Sequence, residues 1–213
     1  MEEFSRAYYE LLVGEFSTIN LTRIIDYDEF YHKQILDSIE PLNKSEVFKH
    51  NLENTKRMID IGFGGGFPIL PMAFLNPDKQ FIGIETRRKK ADVVGQIAAK
   101  LGLNNVKLIH SRIENVLVDL PSICTLKAVG KVHDFLNKIN TNQKLQVYFY
   151  KGPNFYSIES DQIEASKKQW QIIEERELFV EGTEKRLLVG FENKNVPHGT
   201  IKANNLVKLS ELI

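Results

Sequence analysis

The stretch from Met58 to Pro68, Met-Ile-Asp-Ile-Gly-Phe-Gly-Gly-Gly-Phe-Pro, constrains the fold more than any other. It reads as a buried strand ending in an acid, then a glycine turn, then the start of a helix. Glycine permits positive backbone dihedrals and, lacking Cβ, lets a ligand approach the main chain. A helix that begins after such a turn presents free N–H groups and the positive end of its dipole. The stretch is therefore expected to cradle a nucleotide-type ligand.

The flanking chain supplies the rest of an α/β layer structure. Strands are expected at 57–61, 80–84, 106–110, 123–126 and 145–150, and helices at 66–75, 88–101, 132–139 and 161–170. Segments 171–180 and 185–192 alternate apolar and polar residues and read as an antiparallel pair turning at Glu181–Glu184. The order predicts an open, Rossmann-like sheet with helices on both faces. Ligands of such sheets lie outside the carboxyl ends of the strands, where the strand order switches. Upstream, Phe4, Tyr8, Leu11, Leu12 and Phe16 fall near helical spacing. A second helix is expected over 29–39, capped by Asp26 or Asp28, and the polar stretch 41–54 reads as a connection. Residues 1–54 are thus expected to form an N-terminal helical extension, and residues 55–213 the ligand-binding domain.

Composition narrows the setting. The single cysteine, Cys124, excludes an internal disulfide framework and a cysteine-cluster metal site, and fits a reducing cytoplasm. The acidic Met1–Ser5 start lacks the features of a signal peptide, and no apolar run approaches the length needed to span a bilayer. His32, His50, His110, His133 and His198 show no metal-ligand spacing, so no metal is expected and each reads as a surface or packing residue. Trp170, Phe4, Tyr8, Tyr9, Phe16 and Phe179 read as core rather than base-stacking platforms, and Cys124 as a small buried hydrophobe. With a formal net charge of zero, a nucleic-acid partner requires a local basic patch.

The glycine frames decide the ligand class. A dinucleotide fingerprint needs a third glycine or alanine where this chain has Phe67 or Ile69, and a P-loop needs a Gly-Lys-Ser/Thr that is absent. What remains is an acid followed by alternate glycines: Asp60, Gly62, Gly64 and Gly66. Asp60 suits an ammonium group, the loop amides a carboxylate, and Glu85, ending the next strand, a ribose diol. Together they describe S-adenosylmethionine; the plain alternative is a structural glycine turn with a surface Glu85.

Further residues carry a resemblance. Asn20-Leu21-Thr22, Ile35 to Ser38, Asp60 to Pro71, Leu101 to Val106, Arg112-Ile113-Glu114 and Lys151-Gly152 occur in the order found in one family. In these the chain resembles the bacterial small-subunit ribosomal RNA guanine-N7 methyltransferases, also called glucose-inhibited division protein B. The resemblance implies a class I S-adenosylmethionine-dependent methyltransferase domain acting on 16S ribosomal RNA or the small subunit. It implies cofactor contacts from Gly62 and Phe67, with Ile113 and Glu114 beside the adenine. Lys127 falls where the family has arginine; it keeps the charge without the planar fork. Ile69 replaces a frequent family glycine, and Gln34 a frequent histidine.

If the target is guanine N7, its in-plane lone pair needs no general base, and catalysis rests on alignment and exclusion of water; no catalytic residue is assigned. Arg87, Arg88, Lys89 and Lys90 are candidate phosphate contacts, against the alternative of a solvated first helical turn. By family analogy Lys151 and the Lys194–Lys208 tail are further RNA candidates. Asn20, Thr22, Asp37 and Ser38 are expected to fix the extension through side-chain to backbone bonds instead. A monomer is expected. Two rival readings stand: a methyltransferase of small molecules, and a non-catalytic RNA-binding module on the same fold.

Overall fold

The structure is a computed structural model that describes residues 1–194 and 206–213; His198 and the interior of the Lys194–Lys208 tail lie outside the described residues. The elements in chain order are α1 (Glu2–Val13), α2 (Tyr27–Phe30), α3 (Asp37–Lys44), α4 (Glu46–Glu53), β1 (Arg57–Ile61), α5 (Ile69–Leu75), β2 (Gln80–Glu85), α6 (Arg88–Lys100), β3 (Val106–His110), β4 (Val116–Val118), β5 (Ile123–Lys127), α7 (Val132–Leu136), β6 (Asn140–Thr141), β7 (Gln146–Lys151), α8 (Phe155–Ser166), β8 (Trp170–Leu178), β9 (Arg186–Asn193), β10 (Val207–Lys208) and α9 (Leu209–Leu212).

Seven strands form one sheet in the order β3-β2-β1-β5-β7-β9-β8. The first five are parallel; β9 runs antiparallel to both β7 and β8. The chain leaves β1 outward through β2 and β3, then returns to place β5 on the other flank of β1. The crevice between the carboxyl ends of β1 and β5 is therefore the switch point at which such sheets take ligands. A small second sheet, β10-β4-β6, lies outside this frame.

The strands are apolar on both faces because both are covered. Met58 and Phe81 join a core with Phe4, Tyr8, Phe30, Phe48, Ile69 and Val94, which packs the N-terminal helices, α5 and α6 on one face. Their sequence neighbours Ile59 and Ile82 point the other way, into a core with Val132, Phe149, Phe155 and Trp170. The first core runs without a break across residue 54.

Three expectations need correction. Residues 41–54 are helical: Pro41 lies inside α3, and Ser45 caps α4 by accepting from Phe48 N at 2.8 Å. The first βα helix begins at Ile69 rather than Gly66, because the turn runs through Pro68. Phe179, expected in the core, is 52% exposed just beyond the end of β8. Cys124 is fully buried in β5, as expected. Among the described residues, no helix is long and apolar enough to cross a membrane, and no group of three or more His, Cys, Asp or Glu is placed to hold a metal ion.

Candidate cofactor cleft

The glycine loop leaves β1 at Ile61 and is pinned along its length. Gly62 N donates to Ile84 O at 2.8 Å, and Gly66 N to Phe63 O at 2.7 Å. Gly64 N donates to Glu85 Oε2 at 3.1 Å, joining the ends of β1 and β2. Gly62, Gly64 and Gly66 all have positive φ, which an L side chain resists. The reasons for glycine differ along the loop. A Cβ on Gly62 would sit 3.0 Å from Val129 across the crevice, whereas one on Gly64 would meet only Gly62 O, at 3.8 Å. A Cβ on Gly65 would come within 2.5 Å of the Leu21 carbonyl oxygen. Gly65 is therefore small to admit the N-terminal extension, not a ligand.

Outside the loop opens a cleft of about 530 Å³ at the β1/β5 switch. Gly62, Gly64, Glu85, Ile113 and Glu114, all singled out from sequence, line this one cavity. Glu85 is 7% exposed, and its carboxylate also accepts from Arg87 N at 3.0 Å and Thr86 Oγ1 at 3.2 Å. A carboxylate offers about four acceptor positions, so with three of them filled capacity remains on Oε2 for one hydroxyl of a diol. Ile84, Ile113, Val129 and Phe135 give apolar surface suited to a purine. An apolar slot flanked by carboxylates and close-approach backbone fits S-adenosylmethionine.

The loop after β5 closes the opposite wall. Ala128 has φ of 54°, a left-handed conformation uncommon for a residue with Cβ. Lys151 Nζ donates to Gly130 O at 2.7 Å and to Glu159 Oε1 at 2.8 Å, while Glu159 Oε2 accepts from Val132 N at 2.8 Å. The wall is thus fastened from β7 and α8. Sequence reasoning missed Ala128, Val129 and Phe135, because no residue pattern announces a left-handed alanine.

Three expected cofactor residues stand behind the cleft rather than in its lining. Asp60 is 1% exposed; its Oδ1 accepts from Thr125 Oγ1 at 3.1 Å, and its Oδ2 has no hydrogen-bond partner. Burial pushes its carboxyl up to about 7, with Thr125, the Ile69 amide and Lys127 pulling the other way. Phe67 stacks on Tyr8 at 5.1 Å and meets Phe30 edge-on, under the extension. Lys127 is buried, with Nζ 2.7 Å from Asp37 Oδ2 in an ion pair lacking hydrogen-bond alignment; Arg186 lies 3.5 Å from Asp37 Oδ1. Burial lowers the Lys127 pKa and Asp37 counters it. Lys127 thus ties β5 to the extension.

The expected RNA contacts separate. Lys151 is 7% exposed and ion-paired within the wall, so it presents no charge to a phosphate; this corrects the expectation for it. Arg87 and Lys90 line the cleft; Arg88 turns to Asp92 at 3.6 Å; Lys89 is exposed. Thr22 accepts from Ile24 N at 3.1 Å and Ser38 Oγ donates to Gln34 O at 2.5 Å, so both brace the extension as expected. Asp37 does so through ion pairs rather than backbone bonds.

Comparison with known proteins bears on this cleft. The family described as rRNA small subunit methyltransferase G (GidB) matches residues 1–189. A protein named Ribosomal RNA small subunit methyltransferase G from Lactobacillus helveticus is 32% identical over 201 residues, covering 88% of this chain and 80% of that protein. Its namesake from Pseudomonas entomophila is 34% identical over 144 residues, covering 63% of each chain. That from Streptococcus pneumoniae is 38% identical over 118 residues, 55% of this chain and 48% of the other. The chain's match thus spans less than two thirds of the latter two. Among solved structures, a SAM dependent methyltransferase from Aquifex aeolicus aligns with a TM-score of 0.52 at 15% identity, covering 73% of this chain and 91% of that one. A 16S rRNA (adenine-N1)-methyltransferase variant from Catenulisporales acidiphilia gives 0.51 at 15% identity, covering 71% and 91%. These two likenesses are of fold.

Proposed function

The chain belongs to the rRNA small subunit methyltransferase G (GidB) family, and from that premise we propose that it transfers a methyl group from S-adenosylmethionine to N7 of a guanine in 16S ribosomal RNA. One observation carries the reading. Gly62, Gly64, Glu85, Ile113 and Glu114, drawn from the carboxyl ends of three separate strands, line a single cleft at the sheet's switch point.

The cofactor supplies an electrophilic methyl on a sulfonium sulfur. The chain's own residues bind and align. Gly62 and Gly64 let the ligand lie against backbone, Glu85 accepts from its ribose, and Ile113 and Glu114 flank its adenine. Asp60, behind the loop with a free carboxylate oxygen, compensates positive charge there. Guanine N7 attacks through a lone pair that bears no proton, so no residue is asked to act as base. The rate then rests on holding nucleophile, methyl and leaving sulfur in line and excluding water. The reading carries with it a monomeric protein working in the cytoplasm.

The test is incubation with methyl-labelled cofactor and small subunits, or their RNA, from a strain lacking this enzyme. Label in 16S RNA is expected. Label confined to small molecules, or none at all, would overturn the reading.

A further inference from the structure

A second groove of about 600 Å³ opens between the segment Ile19–Ile24 and the first turn of α6. Arg87 and Lys90 line both this groove and the cofactor cleft, so the two adjoin. Arg23 and Lys89 line the groove alone. No carboxylate lines it, and none of the four cations makes an ion pair among the described residues. By contrast, Lys33, Lys100, Lys144, Lys167 and Lys185 each pair with an acid. In a chain of zero net charge, four unpaired cations around one groove make a local field of one sign. Between them lie Asn20 and Gln34, whose side-chain amides make no hydrogen bond among the described residues. Such an amide offers both a donor and an acceptor to a base edge.

We infer that this groove takes a single RNA strand, its phosphates against Arg23 and Lys89. Arg87 and Lys90 lead the strand into the cleft, where the target base is presented unstacked from its neighbours. A base modified at a ring atom must leave the stack to reach a pocket, and a single strand brings flanking phosphates with it. The target therefore enters from the side of the N-terminal extension, not past Lys151 and α8. Asn20, expected from sequence to brace the extension, belongs to this groove instead. The inference rests on RNA being the substrate, but binding tests it separately from methyl transfer.

The experiment measures affinity for 16S RNA against salt, with cofactor affinity as the control for folding. Arg23→Gln with Lys89→Gln is expected to weaken RNA binding at least tenfold. Its log–log salt slope should become shallower by about 1.4, two phosphate contacts on a single strand. Cofactor affinity should hold within twofold. Lys185→Gln, which removes an ion-paired lysine from the β8–β9 turn, should leave the slope unchanged. An unaltered slope in the double variant, or an equal change in Lys185→Gln, would overturn the groove. Loss of methyl transfer to RNA in the wild-type protein, with the groove's slope intact, would instead count against the proposed reaction alone.

Discussion

The Tyr8 hydroxyl donates a hydrogen bond to the Gly65 carbonyl oxygen, so a residue of the first helix holds the middle of the glycine loop. Tyr8 is fully buried, and its ring stacks on Phe67, the residue that leads out of the same loop. The extension is therefore part of the glycine loop's scaffold. Tyr8→Phe keeps the stack and loses only the hydroxyl. It should cost about 1 kcal/mol of stability and weaken cofactor binding about fivefold. Thermal melting and calorimetric titration check both. Unchanged affinity would mean that the loop holds its shape without the extension.

Gly65 and Gly95 predict opposite responses to the same substitution. A methyl on Gly65 meets the Leu21 carbonyl, which is backbone and cannot swing away. Gly65→Ala should destabilise by about 2 kcal/mol, as overpacking does. Gly95 lies inside α6 with nothing within 4 Å of an added Cβ. Gly95→Ala should stabilise by up to about 1 kcal/mol, the helix-propensity gain. Chemical denaturation of the two variants measures the difference.

Asp60 gives the ligand-free protein a pH dependence of defined sign. Its carboxyl titrates near 7 when folded and near the ordinary 3.8 when unfolded. Between these values the folded state binds the extra proton, so stability falls as pH rises from 4 to 7 and levels off above. The full change is of the order of 4 kcal/mol for this one group. Asp60→Asn should flatten that part of the profile in denaturation measured from pH 4 to 8. A slope that persists in the variant would assign it to other groups.

The buried Lys151–Glu159 pair holds Gly130 and Val132, the far wall of the cleft. Removing one partner strands the other's charge, so Lys151→Ala should cost about 3 kcal/mol. Because Lys151 is inaccessible to phosphate, neutralising the pair together, Lys151→Met with Glu159→Gln, should leave the salt slope of RNA binding untouched. A shallower slope would return Lys151 to the RNA surface.

Much of the frame was legible because strand and helix periods alternate from Lys56 onward. β1, β2, β3 and the β8–β9 pair stand within two residues of expectation. Glu85 was legible as a candidate because it ends a strand at the carboxyl edge, whereas Ile113 came only with the family resemblance. The segment 41–54 was misread because Pro41 and Ser45 look like turn residues. Ser45 followed by Phe48 and Leu52 is a helix cap with apolar residues four apart. Lys151 and Phe67 were placed by motif, and a motif does not say which way a side chain faces. The Tyr8–Gly65 bond joins residues 57 apart, a distance no local pattern spans.

The central claim is methyl transfer to guanine N7 in 16S RNA, and the chemistry of that product gives its most direct measurement. A purine methylated at N7 carries positive charge, and borohydride reduction followed by aniline cleaves the RNA chain there. Small subunits from a strain lacking the enzyme, treated with this protein and S-adenosylmethionine, should gain a scission in 16S RNA at a guanine. The scission should be absent without cofactor and with Gly62→Val. Methyl incorporation with no new scission, or scission at no guanine, would contradict the account.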